Sequence, residues 1–265
     1  MAGNEAGSVD VGRDRNHVQA VLRACDIMSS FNSRQPEMSL QELSQQTGLN
    51  PSTVRRIVST LCSAGFLSQQ DHGRYRLGTR LFQLGAVAGE AMDLRRDALD
   101  VMQGLASSTG DTVFLLVAEQ DHAMCIERVR GSAEFTLNMM PVGGILPPHV
   151  SAGGAVLLAY REAELLPTLL ANGPTVYTER TVVEADALRA RSATIRERGY
   201  SFADGDVFTG IAGYGAPVFG RRGEVVAALS IGGLAHRFDG ERGPEVRDRL
   251  RDAAGTISRR MGYDG

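Results

Sequence analysis

The chain has 265 residues, 43% of them hydrophobic and 22% charged, which is long for one ordinary globular domain and comfortable for two. No apolar run approaches the roughly 18–20 residues of a membrane span, which argues against a membrane protein. The formal net charge of −3 is unevenly split: residues 16–80 carry seven arginines against four acids, whereas residues 81–265 carry 19 against 24, a mildly basic front that suits a small nucleic-acid-binding module.

Residues 1–15 lack an apolar core segment, so they read as a short disordered tail rather than a secretion leader. A first helix is expected with Val18, Val21, Leu22, Cys25 and Met28 on its buried face, ending near Phe31-Asn32-Ser33. Ser39 followed by Glu42 is a capping box that opens a helix carrying Leu40, Leu43 and Thr47, and Gly48 suits a left-handed stop. Asn50-Pro51 starts the next helix, with Asn as N-cap and Pro at the first helical position. Along it Val54, Ile57, Val58 and Leu61 share one face, while Ser52, Arg55, Arg56 and Ser59 share another. Two short helices joined by Gly-Leu-Asn, the second with a polar, basic stripe, form a helix-turn-helix pattern. Phe66–Ser68 and Tyr75–Leu77 around Gln70-Asp71-His72-Gly73 predict a hairpin wing.

From Thr79 to Ser108 the pattern predicts one or two linking helices, with Leu81, Leu84, Val87 and Ala88, then Met92, Leu94, Leu99, Met102 and Leu105. Strands are expected over Thr112–Ala118, Met124–Arg130, Phe135–Met140, Gly213–Phe219 and Val225–Ile231. Helices are expected over Ser151–Tyr160, Ala185–Arg198 and Pro244–Met261. Helices mixed with antiparallel hairpins indicate an α+β domain, a sheet backed by helices.

With these elements in place, the chain resembles the IclR family of bacterial transcription factors over about residues 17–262. Four stretches carry the resemblance: LQELSQQTGLNPSTVRRIVSTLCSAGFL (40–67), GRYRLGTRLFQLG (73–85), PPHVSAGGAVLLAY (147–160) and RGYSFADGDVFTGIAGYGAPVFGRRGEVVAALSIGGL (198–234). The resemblance implies a winged helix-turn-helix over 16–78, a linker helix over 79–96 and a GAF-like effector-binding and oligomerisation domain over 97–265. It further implies a cytoplasmic homodimer or homotetramer on double-stranded DNA at a pseudo-palindromic operator, responding to a small organic acid.

For DNA, the expected contact residues are Ser52, Thr53, Arg55, Arg56 and Ser59 on the second helix, with Arg74 and Arg76 on the wing meeting the backbone or minor groove. For the effector, the resemblance points to Leu146, Ser151, Ala152, Gly153, Gly154, Asp204, Asp206, Gly213, Ser230 and Gly232. A helix start at Ser151–Gly154 suits a carboxylate, because its backbone N–H groups and dipole favour an anion. The same small residues are equally compatible with simple close packing. Several positions depart from the family pattern. Ala155 stands where the family has Lys, 203–206 reads Ala-Asp-Gly-Asp rather than Asp-Asp-Glu-Glu, Gly213 replaces a frequent Cys, and Gly232 replaces the second of two strand serines. These departures predict a roomier, less polar pocket for an acid larger than two or three carbons, such as an aromatic one. Loss of effector sensing is compatible with them too.

An enzyme has little support. His122 lies near Glu119 and Asp121, and His149 follows Pro147-Pro148, but neither has nucleophile–base or metal-ligand spacing. No GxGxxG or GxxxxGK[ST] loop is present, so no cofactor is expected. Cys25, Cys62 and Cys125 are too far apart for a metal cage and read as reduced packed thiols.

Overall fold

The computed structural model describes residues 18–32, 35–87, 90–133 and 140–265. The expected tail over 1–15 and nearly all of the strand expected at Phe135–Met140 lie outside the described residues; Met140 itself is buried, in a bend. The chain forms two compact units that divide between residues 89 and 90, inside the stretch 79–96 that the sequence assigns to a linker.

The first unit contains α1 (Gln19–Ser29), β1 (Glu37–Ser39), α2 (Leu40–Thr47), α3 (Pro51–Ser63), β2 (Leu67–Gln69), β3 (Arg74–Leu77) and α4 (Thr79–Val87). Local chemistry sets its helix ends. Ser39 Oγ accepts the Glu42 N–H at 3.3 Å while the Glu42 carboxylate accepts the Ser39 N–H at 2.7 Å, a complete capping box. Gly48 ends α2 at φ 66°, a conformation that costs a residue with a Cβ. Asn50 Oδ1 accepts the Ser52 N–H at 3.0 Å to start α3. Ile27, Phe31, Met38, Leu43, Val54, Val58, Leu61 and Leu67 form the core.

Two expectations need correction here. The buried face of α1 runs through Ala24, Ile27 and Met28 toward Phe31, whereas Val18 and Val21 are 66% and 58% exposed and Cys25 is exposed. Both faces carry apolar residues at helical spacing, so periodicity alone could not choose between them. The wing is also larger than a hairpin. Its order is β1-β3-β2, and Met38 pairs with Tyr75 across β1 and β3. Three residues are too few to show alternation, and only the burial of Met38 beside β3 makes them a strand.

The second unit contains α5 (Glu90–Thr109), β4 (Thr112–Glu119), β5 (His122–Val129), β6 (Ile145–Leu146), α6 (Ala152–Tyr160), α7 (Glu162–Asn172), α8 (Ala185–Arg198), β7 (Ser201–Asp204), β8 (Ile211–Phe219), β9 (Val225–Leu234) and α9 (Arg242–Arg260). The six strands form one antiparallel sheet in the order β6-β5-β4-β9-β8-β7. On one face, Leu94, Ala98, Met102 and Leu105 of α5 and Val246, Leu250, Ala254 and Ile257 of α9 pack on Val113, Leu115, Leu229 and Ile231. The other face packs Phe114, Leu116, Cys125 and Ala228 against α6, α7 and α8. Alternation along β4 and β9 thus feeds two cores, as a sheet covered on both sides requires.

Helix α6 is apolar all round and buried from Ala152 to Ala159, so it lies in the middle of its layer. It approaches the sheet closely. A Cβ on Gly153 would lie 2.4 Å from Leu116 Cδ1, and one on Gly215 of β8 would lie 2.6 Å from the Ala152 carbonyl oxygen. At α5–β4, the buried Asp111 carboxylate accepts Arg237 Nε at 2.6 Å and Arg242 Nη2 at 2.5 Å, tying the chain before α9 to the start of β4.

Candidate functional site

On α3 the hydrophobic positions Val54, Val58 and Leu61 turn inward, which leaves Ser52, Arg55, Arg56 and Ser59 exposed and Thr53 half-buried. The guanidiniums of Arg55 and Arg56 make no hydrogen bond or ion pair with any described residue. Their guanidiniums are therefore uncommitted on the outer face of a helix-turn-helix. Ser52 Oγ donates to Asn50 Oδ1 at 2.9 Å, so that hydroxyl belongs partly to the cap.

The two wing arginines are placed differently. Arg76 is exposed on β3, its Nε 3.3 Å from Ser68 Oγ on the neighbouring strand. Arg74 turns back into the domain, where Nη2 donates to the Glu37 carbonyl at 2.7 Å and pairs with the Glu42 carboxylate at 3.2 Å. Glu42 is held below the usual carboxylate range, chiefly by the Ser39 N–H and then by Ser39 Oγ, with Arg74 adding to both. Arg74 therefore joins wing, β1 and the cap of α2, a role the sequence reading did not assign to it.

In the second unit, Ser151, Ala152, Gly153 and Gly154 of the expected effector set form the start of α6. Ser151 is its N-cap at φ 62°, ψ 157°, a region that costs a non-glycine residue roughly 1–3 kcal/mol. Ser151 Oγ accepts the Gly154 N–H at 3.1 Å, and Ala155 N–H bonds Ser151 O. Ala152 and Gly153 are buried residues, and their N–H groups, in the first turn of α6, have no partner among the described residues. Asp206, in the loop after β7, is buried, its carboxylate accepting Arg191 Nη2 at 3.4 Å. Burial raises the Asp206 pKa, while Arg191 and the Ser151 N–H oppose the rise.

Ser230 and Gly232 on β9 and Gly213 on β8 share the α6 side of the sheet, with Gly213 opposite Gly232 and Gly215 opposite Ser230. Ser230 Oγ donates to the Tyr214 carbonyl at 3.1 Å. The extra room expected from Gly213 is absent, because a Cβ there would lie 2.3 Å from the Ile231 carbonyl oxygen. That glycine reflects close backbone approach rather than an enlarged pocket. Leu146 lies on β6, paired with Ala123 at the far edge of the sheet. Asp204 ends β7 and is ion-paired with Arg180. A surface groove of about 610 Å³ lined by Tyr160, Phe219 and Tyr263 against α9 holds none of these residues.

Two family profiles match the chain: one described as the IclR helix-turn-helix domain over residues 20–71, the other as the bacterial transcriptional regulator IclR C-terminal domain over residues 87–259. The chain belongs to the IclR family of bacterial transcriptional regulators. It is 31% identical to the HTH-type transcriptional regulator XynR of Escherichia coli over 93% of this chain and 98% of that protein. It is 32% identical to the regulator KdgR of the same organism over 97% of each chain. Among solved structures, it is similar to an IclR homolog from Microbacterium hydrocarbonoxydans complexed with 4-hydroxybenzoate, at TM-score 0.82 and 27% identity over 91% of this chain and 98% of that one. As an IclR-family regulator it carries a helix-turn-helix domain and an effector-binding domain, and its relatives are regulators rather than enzymes. No described helix is long and apolar enough to cross a membrane.

The sequence reading of this IclR-family protein missed the groups that surround the acidic loop. Thr178 Oγ1 donates to the Gly205 carbonyl at 2.6 Å and Thr181 Oγ1 to the Asp206 carbonyl at 2.8 Å. Arg191 Nη1 donates to the His149 carbonyl at 3.1 Å, and His149 Nε2 lies 2.9 Å from the Thr175 carbonyl. The threonine-rich composition of 175–181 was the one available signal, since hydroxyls there can bond loop carbonyls.

Proposed function

We propose that this chain is a sequence-specific regulator that lays α3 in the DNA major groove and whose operator affinity is set by a small organic acid at the start of α6. The observation that carries the DNA half is the pair of exposed, uncommitted guanidiniums of Arg55 and Arg56, opposite the buried Val54–Val58–Leu61 face. Arginine reads guanine bidentately, each good pair worth roughly 1–3 kcal/mol of discrimination. Ser52, Thr53 and Ser59 contact bases or phosphates beside them, and Arg76 meets the backbone or minor groove from the wing. Arg74 contributes by holding the wing in place.

For the effector half, the buried Ala152 and Gly153 N–H groups are donors that an acid's carboxylate satisfies, with Gly154, Ser151, Ser230 and Asp206 around them. The aromatic class is the first to test, because a structural relative is complexed with 4-hydroxybenzoate. The regulator acts as a homo-oligomer on a pseudo-palindromic operator. Support for this comes from apolar side chains that the single chain leaves bare on its DNA-binding unit: Phe82 of α4, 74% exposed, with Leu84, and Val21 of α1.

The test is fluorescence anisotropy with DNA from upstream of the protein's own gene, titrated against salt and against benzoate and hydroxybenzoates. The expected result is tight binding to one fragment, a steep loss with salt as counterions are released, and a shift of affinity on adding an acid. Equal affinity for every fragment, random DNA included, would overturn sequence-specific reading. Selective binding indifferent to every acid would leave the chain an effector-independent regulator.

A further inference from the structure

His149 is wholly buried, at 0% exposure, yet only one of its ring nitrogens has a partner. Nε2 faces the Thr175 carbonyl at 2.9 Å, and a carbonyl can only accept, so Nε2 carries the proton. Burial pushes the imidazole below its ordinary pKa, which keeps the ring neutral. Nδ1 is then a bare lone pair, a buried acceptor with no donor. Leaving such an acceptor unmatched carries the full desolvation penalty of the group. His149 stands just before Ser151, the N-cap of α6, along the chain. The His149 carbonyl accepts from Arg191 and Arg191 pairs with Asp206, and both charged groups act on the ring.

We propose that His149 Nδ1 reads a hydroxyl on the effector, so that the acid recognised is a hydroxy acid whose carboxylate meets Ala152 and Gly153 and whose O–H donates to His149. This rests on the effector reading of the α6 start. The two kinds of group are complementary: bare donors on the helix select the carboxylate, and a bare acceptor on the ring selects an O–H or N–H rather than a second anion. A second carboxylate would face a lone pair and the nearby Asp206 charge, and is rejected.

The experiment is isothermal titration calorimetry of the full chain with benzoate and its three monohydroxy isomers, repeated for His149→Gln. Glutamine keeps an N–H near Nε2 for the Thr175 carbonyl and removes the Nδ1 acceptor. At least one isomer should bind the native chain about tenfold tighter than benzoate, the worth of one neutral hydrogen bond. His149→Gln should bind that isomer and benzoate alike. Benzoate and all three isomers binding the native chain equally, or the preference surviving in His149→Gln, would overturn the proposal and leave the effector site standing. Binding of none of the four acids would overturn the aromatic-acid reading and this inference with it. Should His149→Gln fail to fold, the ring nitrogen signals of the native chain labelled with 15N-histidine decide. The His149 Nδ1 resonance must shift at saturating hydroxy acid, and an unmoved one refutes the assignment.

Discussion

Arg55 and Arg74 are both arginines of the DNA-binding unit, and the structure predicts opposite consequences of truncating them. Arg55 is exposed and its side chain bonds no described residue, so Arg55→Ala removes nothing the fold uses. Alanine is also the better helix former, and surface changes of this kind stay within about 0.5 kcal/mol of native stability. Its loss should appear in DNA binding alone. If Arg55 holds a guanine, operator affinity falls by roughly 1–3 kcal/mol, about 5- to 150-fold, with specificity relaxed at one base pair. If it holds a phosphate, affinity falls on all DNA and the salt slope drops by about 0.9. Arg74→Ala should do the reverse, because it releases the Glu37 carbonyl and the Glu42 carboxylate together. The melting temperature should fall by a few degrees, and operator affinity should weaken only as far as the wing loosens. Anisotropy titrations across a salt series, with thermal melts of both variants, separate the cases. A destabilised Arg55→Ala, or a fully stable Arg74→Ala that loses salt slope, would refute the reasoning.

Three further outcomes are expected. His149 is held neutral by burial, with Arg191 acting in the same direction and the Thr175 carbonyl and Asp206 opposing. The unfolded ring protonates first as pH falls below 6.5, so its contribution to stability is full above that pH and is lost on going lower. Thermal melts between pH 7.5 and 5 should show the decline in the native chain and a flatter profile in His149→Gln; parallel profiles would contradict the assignment. Asp206, whose pKa is raised by burial, works in the opposite sense and is common to both chains. Gly215→Ala would bring a methyl to 2.6 Å from the Ala152 carbonyl and 2.7 Å from Ser201 Oγ, and should cost about 1–3 kcal/mol, read as a lowered melting temperature; an unchanged melt would show that α6 can move away from the sheet. Burial pushes the Cys125 thiol up to about 12, so in thiol-labelling kinetics at pH 8 the exposed Cys25 should react promptly and Cys125 only on unfolding. Half-buried Cys62, its pKa also raised by burial, should react between them, and prompt labelling of Cys125 would refute the packed-thiol reading.

The sequence by itself determined the features whose partners lie within a turn or two of chain. The Ser39–Glu42 box, the Gly48 stop and the Asn50-Pro51 start are bonds between residues two or three apart, so the helix-turn-helix could be read directly. The outer stripe of α3 was equally legible, because one face of it is strongly apolar and the other is not. Long-range contacts settled the rest. Val21 and Ile27 both sit at good helical positions, and only the packing of α1 on α2 and α3 buries one and bares the other. Helix α7 was missed because Pro167 interrupts the pattern, and Leu165, Leu166 and Leu169 hold it by burial against its neighbours. Strand β7 looked like part of an acidic loop until β8 supplied its hydrogen bonds. The site shows the same division. The residues of the α6 start were visible as a run of small side chains, but whether glycine leaves room or marks contact depends on backbone many residues away, as at Gly213 and Ile231. Arg74 inside the wing and His149 beside Arg191 and Asp206 took their roles from cross-chain neighbours, because a hydrogen bond is fixed by where two groups meet and not by how far apart they stand in sequence.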